Sequence, residues 1–171
     1  MRKESGFSML EILVSVIIIM SGVLGIAGMQ LLSINNTEVA RYQSLAALLA
    51  SSMGAEIQGN VAYWGTAATN ITVNGAAITG IPISGTSCLN AVCTPTQLAA
   101  YDLQNWGQAM AGTPTMPGAL PGGSGTIACA VIPAPTVCTL TLNWSEKTVA
   151  SLGTPTGSSA PMTYTTVVTV R

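Results

Sequence analysis

From Ile12 to Thr37 the chain carries no ionisable side chain, and Leu, Ile, Val, Met, Gly and Ala dominate the run. A stretch this long crosses a bilayer as a helix, which takes about 20 apolar residues. Arg2 and Lys3 stand directly before it, so the N-terminus is expected on the cytoplasmic side and everything beyond the span outside it. Two ordinary uses of such a segment compete. One is a secretory signal cleaved at the small residues Gly25-Ile26-Ala27, the other an uncleaved membrane anchor. The run is longer than the roughly 7–15 apolar residues of a signal core, and a carboxylate, Glu11, stands directly at its start.

Glu11 is the informative residue. A carboxylate at the centre of a membrane helix costs about 2.5–3.5 kcal/mol on insertion scales, less near the interface, so its presence asks for compensation. Placement in the first helical turn, at the positive end of the helix dipole, supplies some of it. A cut after Gly6 would supply more. It would give Phe7 a new α-amino cation four residues before Glu11, on the same helix face, and the amino group of a neighbouring subunit could neutralise Glu11 in the same way.

Lys3-Glu4-Ser5-Gly6-Phe7-Ser8-Met9-Leu10-Glu11 and the apolar run after it resemble the class III signal of type IV pilins and type II secretion pseudopilins. The resemblance implies that a prepilin peptidase cuts between Gly6 and Phe7 and that Phe7 is then N-methylated. It also implies that Glu11, the fifth residue of the mature chain, takes part in subunit docking. Within that family, Ser21 to Gln30, Gln58-Gly59-Asn60, the segment from Cys93 to Trp106 and Leu120-Pro121-Gly122-Gly123 are similar to minor pilins of the PilV kind, the type IV pilus modification proteins. Gly22, Gly25 and Gly28 each weaken a helix by about 1 kcal/mol relative to alanine. They mark where the resemblance implies local helix melting in a filament, although Ser21 and Gly25 also have the spacing of a close-packing surface.

The expected fold is α+β. A long N-terminal helix, transmembrane in its first half, packs on a small antiparallel β-sheet head. The divisions are 1–6 as leader, 7–32 as the membrane half, 33–60 as the amphipathic half and 61–171 as the head. Leu45, Leu48, Leu49, Met53 and Ile57 are spaced for a buried stripe, with Glu38, Arg41 and Gln58 on wetter positions. Gly59-Asn60 supplies the stop, so one helix should run from about Ser8 to Gln58, about 75 Å at 1.5 Å per residue.

Within the head, Thr94-Pro95-Thr96-Gln97 reads as a capped helix start, with Pro95 at the first position and Thr94 and Gln97 as a capping box. Ala99, Leu103, Trp106 and Met110 follow on one face, and Gly112 and Pro114 end the helix. Asp102 lies off that stripe and is assigned to helix solvation or a cap-type hydrogen bond. Alternation predicts strands at Thr126–Val131, Thr136–Trp144 and Met162–Val170, with Ile132-Pro133-Ala134-Pro135 as a hairpin connection. Ile71-Thr72-Val73 and Ile78 to Ile83 are weaker strand candidates, since Pro82 and several glycines intervene.

Four cysteines permit three pairings. The hairpin register that sets Val131 opposite Thr136 also sets Cys129 opposite Cys138, at a cross-strand separation suited to a disulfide. Cys88 then pairs with Cys93. A four-cysteine zinc site is the rival, but its ligand spacings fit poorly and an oxidising envelope favours bridges. Major pilins typically carry a disulfide that closes a loop near the end of the chain. Here a long stretch without cysteine follows Cys138, a departure that favours a minor pilin.

Charge and composition narrow the function further. The chain has no histidine, only 6% charged residues and a net charge of -1, so the usual general base, the commonest metal ligand and any broad basic face for nucleic acid are missing. No enzyme activity, metal or cofactor is expected, and no nucleic-acid binding by this subunit alone. The resemblance implies a minor pilin that helps prime type IV pilus assembly and supports twitching motility. Its partners would be the prepilin peptidase, other minor pilins, the major pilin, the inner-membrane assembly platform and, before assembly, membrane lipid. The subunit would sit in the bacterial inner membrane with its head in the periplasm and later at or near the pilus tip. A type II secretion pseudopilin and an uncleaved anchored binding module are the alternatives.

Overall fold

The computed structural model describes residues 8–66, 69–83, 85, 87–131, 135–147 and 159–171. The chain divides into two compact units, Met1–Ala40 and Arg41–Arg171. Helix α1 (Met9–Gly59) is unbroken and belongs to both. In the first unit its side chains over Met9–Gln30 are exposed, and that stretch is long and apolar enough to cross a membrane.

The second unit is an α+β head. After α1 come a single helical turn, α2 (Val61–Trp64), then strands β1 (Thr69–Asn74) and β2 (Ala77–Thr79), helix α3 (Pro95–Ala111), two two-residue strands β3 (Gly112–Thr113) and β4 (Met116–Pro117), and the long strands β5 (Ser124–Ala130), β6 (Thr136–Lys147) and β7 (Ser159–Val170). β3 pairs with β4. The other five strands form one antiparallel sheet in the order β2-β1-β5-β6-β7. Alternation places Ile127 and Cys129 of β5 and Cys138, Leu140, Leu142 and Trp144 of β6 inward, and all of them are buried.

One core joins the inner face of the sheet to α3 and to the last turns of α1, with Ala46, Ala50, Met53, Ile57, Leu103, Trp106 and Met110 among its buried members. This corrects the stripe expected on α1. Leu48 is 66% exposed, and Ala46 and Ala50 are buried instead. Positions 46, 50, 53 and 57 follow the i, i+4, i+7 spacing of one helix face, whereas Leu48 lies about 140° around the helix from Met53 at 100° per residue. Small residues on the buried face let the sheet approach closely. A Cβ on Gly54 would sit 3.1 Å from Val168 Cγ2 on β7.

Other boundaries also shift. Val131 lies beyond β5 and is exposed, because the β5–β6 ladder ends at Ala130 opposite Val137. The second weak candidate shortens to Ala77–Thr79, with Gly80 turning the chain at a positive φ. β1 and β2 are joined by Gly75-Ala76, with positive φ at Gly75 alone, the pattern of a II′ hairpin turn. Asn74-Gly75 between two short apolar runs is therefore the hairpin signal that strand alternation had left weak. The connection Ile132-Pro133-Ala134-Pro135 falls outside the described residues except at Pro135.

Cys129 faces Cys138 in the β5–β6 ladder and is bonded to it, with a Cα–Cα distance of 4.0 Å. Cys88 is bonded to Cys93 just before α3. Replacing Cys129 and Cys138 together by alanine should lower head stability by about 2–3 kcal/mol, the loop-closure entropy for a bridge of this sequence separation. Chemical denaturation of the full chain in detergent micelles, with the variant compared to the parent, measures it.

Candidate functional site

The N-terminal site starts with a cap. The Leu10 backbone N–H donates to Ser8 Oγ at 3.4 Å, and the Glu11 N–H donates to the Ser8 carbonyl at 3.0 Å, so Ser8 holds the first turn of α1. Ser8-Met9-Leu10-Glu11 has the S-x-x-E spacing of a capping box, a local signal for this helix start in addition to the apolar run. Glu11 projects from that turn as an exposed carboxylate, with Ser15 Oγ donating to its backbone carbonyl at 2.6 Å. Gly22, Gly25 and Gly28 lie inside the unbroken helix, and a Cβ on any of them would meet nothing within 4 Å. Gly6 and Phe7 lie outside the described residues.

The head holds a feature that sequence reasoning missed. The Trp106 indole N–H donates to the Leu49 carbonyl at 2.9 Å, and Asn60 Nδ2 donates to the Pro95 carbonyl at 2.7 Å. Pairing 49 with 106 and 60 with 95 runs α3 antiparallel to the end of α1, and Glu56 and Asp102 both fall between the two hydrogen bonds. Asp102 is thus half-buried rather than solvated, and burial raises its carboxyl above the usual range. Glu56 is raised to about 7, by burial first and then by the charge of Asp102. Its Oε2 is fully buried and has no hydrogen-bond partner. Asp102 and Glu56 are 46 positions apart in sequence, and no local motif links them.

Glu146, the head's other acid, is 5% exposed and accepts a hydrogen bond from the Trp144 indole N–H at 2.7 Å. The two residues share a face of β6, so Glu146 serves as a polar partner for a buried tryptophan. A groove of about 570 Å³ is lined by Gln58, Val167, Val168, Thr169 and Arg171, with no acidic side chain among them. Among the described residues, no group of three or more His, Cys, Asp or Glu converges as a metal site would require.

Compared with known protein families, residues 1–27 match the prokaryotic N-terminal methylation motif. The chain carries a prepilin-type N-terminus. This motif supports a type IV pilin-like protein, and the long apolar helix followed by a small antiparallel sheet is consistent with the pilin fold. Prepilin-type proteins are processed by prepilin peptidase and handled by membrane pilus assembly machinery, and the N-terminal apolar helix fits a membrane-anchored pilin. Comparison with curated proteins and with solved structures finds no match. Within the prepilin-type segment, Glu11 is the only ionisable residue of the candidate span Met9–Gln30.

Proposed function

We propose that this chain is a minor pilin of the PilV kind, a non-enzymatic structural subunit that helps prime type IV pilus assembly. The observation that carries the reading is the methylation motif over residues 1–27 joined to a head with few charges and two disulfides. Cleavage between Gly6 and Phe7 followed by N-methylation of Phe7 would place an amino terminus one helical turn before Glu11. The exposed apolar face of Met9–Gln30 then rests in the inner membrane and packs among neighbouring subunits when the filament forms, with Glu11 guiding docking. Gly22, Gly25 and Gly28 are where that helix would loosen in the filament. The head stays in the periplasm before assembly and reaches the surface at or near the tip.

Intact-mass and N-terminal peptide mass spectrometry on the unreduced protein from its native envelope tests the processing. The expected species begins at N-methylated Phe7 and is lighter by four protons than the reduced chain. A chain starting at Met1 or Gly28 overturns the pilin reading. Deletion of the gene should reduce surface pili and twitching motility. Intact pili with lost exoprotein secretion would instead make this a type II secretion pseudopilin.

A further inference from the structure

We propose that Glu56 and Asp102 form a pH-sensitive latch that holds α3 against α1 while Glu56 keeps its proton and loosens α3 when both carboxyls ionise. The geometry is an interface pinned at its two ends, by Trp106 on Leu49 and by Asn60 on Pro95, with two acids between the pins. Glu56 Oε2 is sealed from solvent without a hydrogen-bond partner, a position tolerable for a neutral carboxyl and costly for a carboxylate. The groups around it offer no compensation. α3 contributes Asp102 and Tyr101, α2 contributes Tyr63, and α1 has no other ionisable residue within a turn of Glu56. Among the described residues, the charge that acts on Glu56 is the like charge of Asp102, and Tyr63 is held above its usual range by burial, so it stays neutral.

The sign follows from linkage. A carboxyl raised from 4.5 to about 7 in the folded head binds a proton that the opened state has released. Its contribution to closure is therefore complete below 4.5 and is lost as pH rises through about 7. Asp102, also raised, acts in the same direction. The loop closed by Cys88 and Cys93 leads directly into α3 and presents Leu89 and Val92 as exposed side chains. Loosening α3 would free that apolar loop as the medium becomes less acidic.

The test is amide hydrogen exchange on the full chain in detergent micelles, corrected for intrinsic exchange, comparing α3 with β6 from pH 5 to pH 8. One linked proton makes the opening of α3 rise by up to about tenfold per pH unit below pH 7 and level off above it. We expect a rise of at least about tenfold between pH 5 and pH 7 in α3, none in β6, and in Glu56→Gln a much smaller rise, limited to what Asp102 contributes. The same rise in Glu56→Gln, or a rise in β6 in step with α3, overturns the latch. Should that variant fail to fold, carboxyl carbon NMR of the parent decides. A Glu56 midpoint well above 4.5 supports the latch, and one at or below 4.5 refutes it.

Discussion

Trp106→Ala should lower the stability of the head by about 3–5 kcal/mol, the range for removing a large aromatic from a core that cannot collapse around the gap. The indole is 3% exposed and sits against Gly125 of β5 so closely that a Cβ there would overlap its ring carbons. It also ties α3 to the backbone of α1 through Leu49. One side chain thus joins both helices to the sheet, and truncating it opens a cavity where three elements meet. Trp106→Phe separates the contributions. Most of the bulk remains and only the N–H is lost, so the cost should fall toward about 1 kcal/mol for the hydrogen bond plus whatever volume the smaller ring leaves empty. The Leu49 carbonyl also accepts from Ser52 Oγ at 3.0 Å and is not orphaned by the change. Gly125→Ala should destabilise from the opposite direction, by overpacking the same contact. Urea titration of the full chain in micelles checks all three, and a loss below about 1 kcal/mol for the alanine variant would show that the junction is not where the head is held.

Glu11→Gln should leave the protein processed and present in the membrane but reduce its incorporation into pili by at least about tenfold, the consequence of losing about 1.4 kcal/mol of charge pairing. In an apolar helix the neutral amide is cheaper to bury than the carboxylate, so membrane retention should not suffer. Under the proposed docking role the carboxylate is attracted to an amino terminus, its own or a neighbour's, and such attraction grows where lipid and packed helices exclude water. Quantitative mass spectrometry of sheared pili against the membrane fraction reads the ratio. An unchanged ratio would remove Glu11 from docking and leave it as a first-turn residue that favours the helix start.

The parts of the fold that were legible were those set by local chemistry. Thr94, Pro95 and Gln97 start α3 through the expected capping box, with Gln97 N–H donating to Thr94 Oγ1 and Gln97 Oε1 accepting from Thr94 N–H. The long helix and the strands β5, β6 and β7 follow from apolar run length and strict alternation. Leu48 was misread because hydrophobicity alone ranks leucine above alanine for burial, whereas a closely approached helix face selects the smaller side chain. The β1–β2 hairpin was obscured because β2 has only three residues, too few for alternation to register.

By itself the sequence determined the apolar span, the charge asymmetry around it, the processing signal, the position of Glu11 and the starts of the major elements, because each depends on residues within a few turns of one another. The tertiary structure alone decided that Asp102 is half-buried, that Glu56 feels its charge and has a sealed oxygen, and that Trp106 rests on Gly125 and Leu49. Those contacts arise when α3 docks antiparallel on α1, which brings together residues tens of positions apart that share no local pattern.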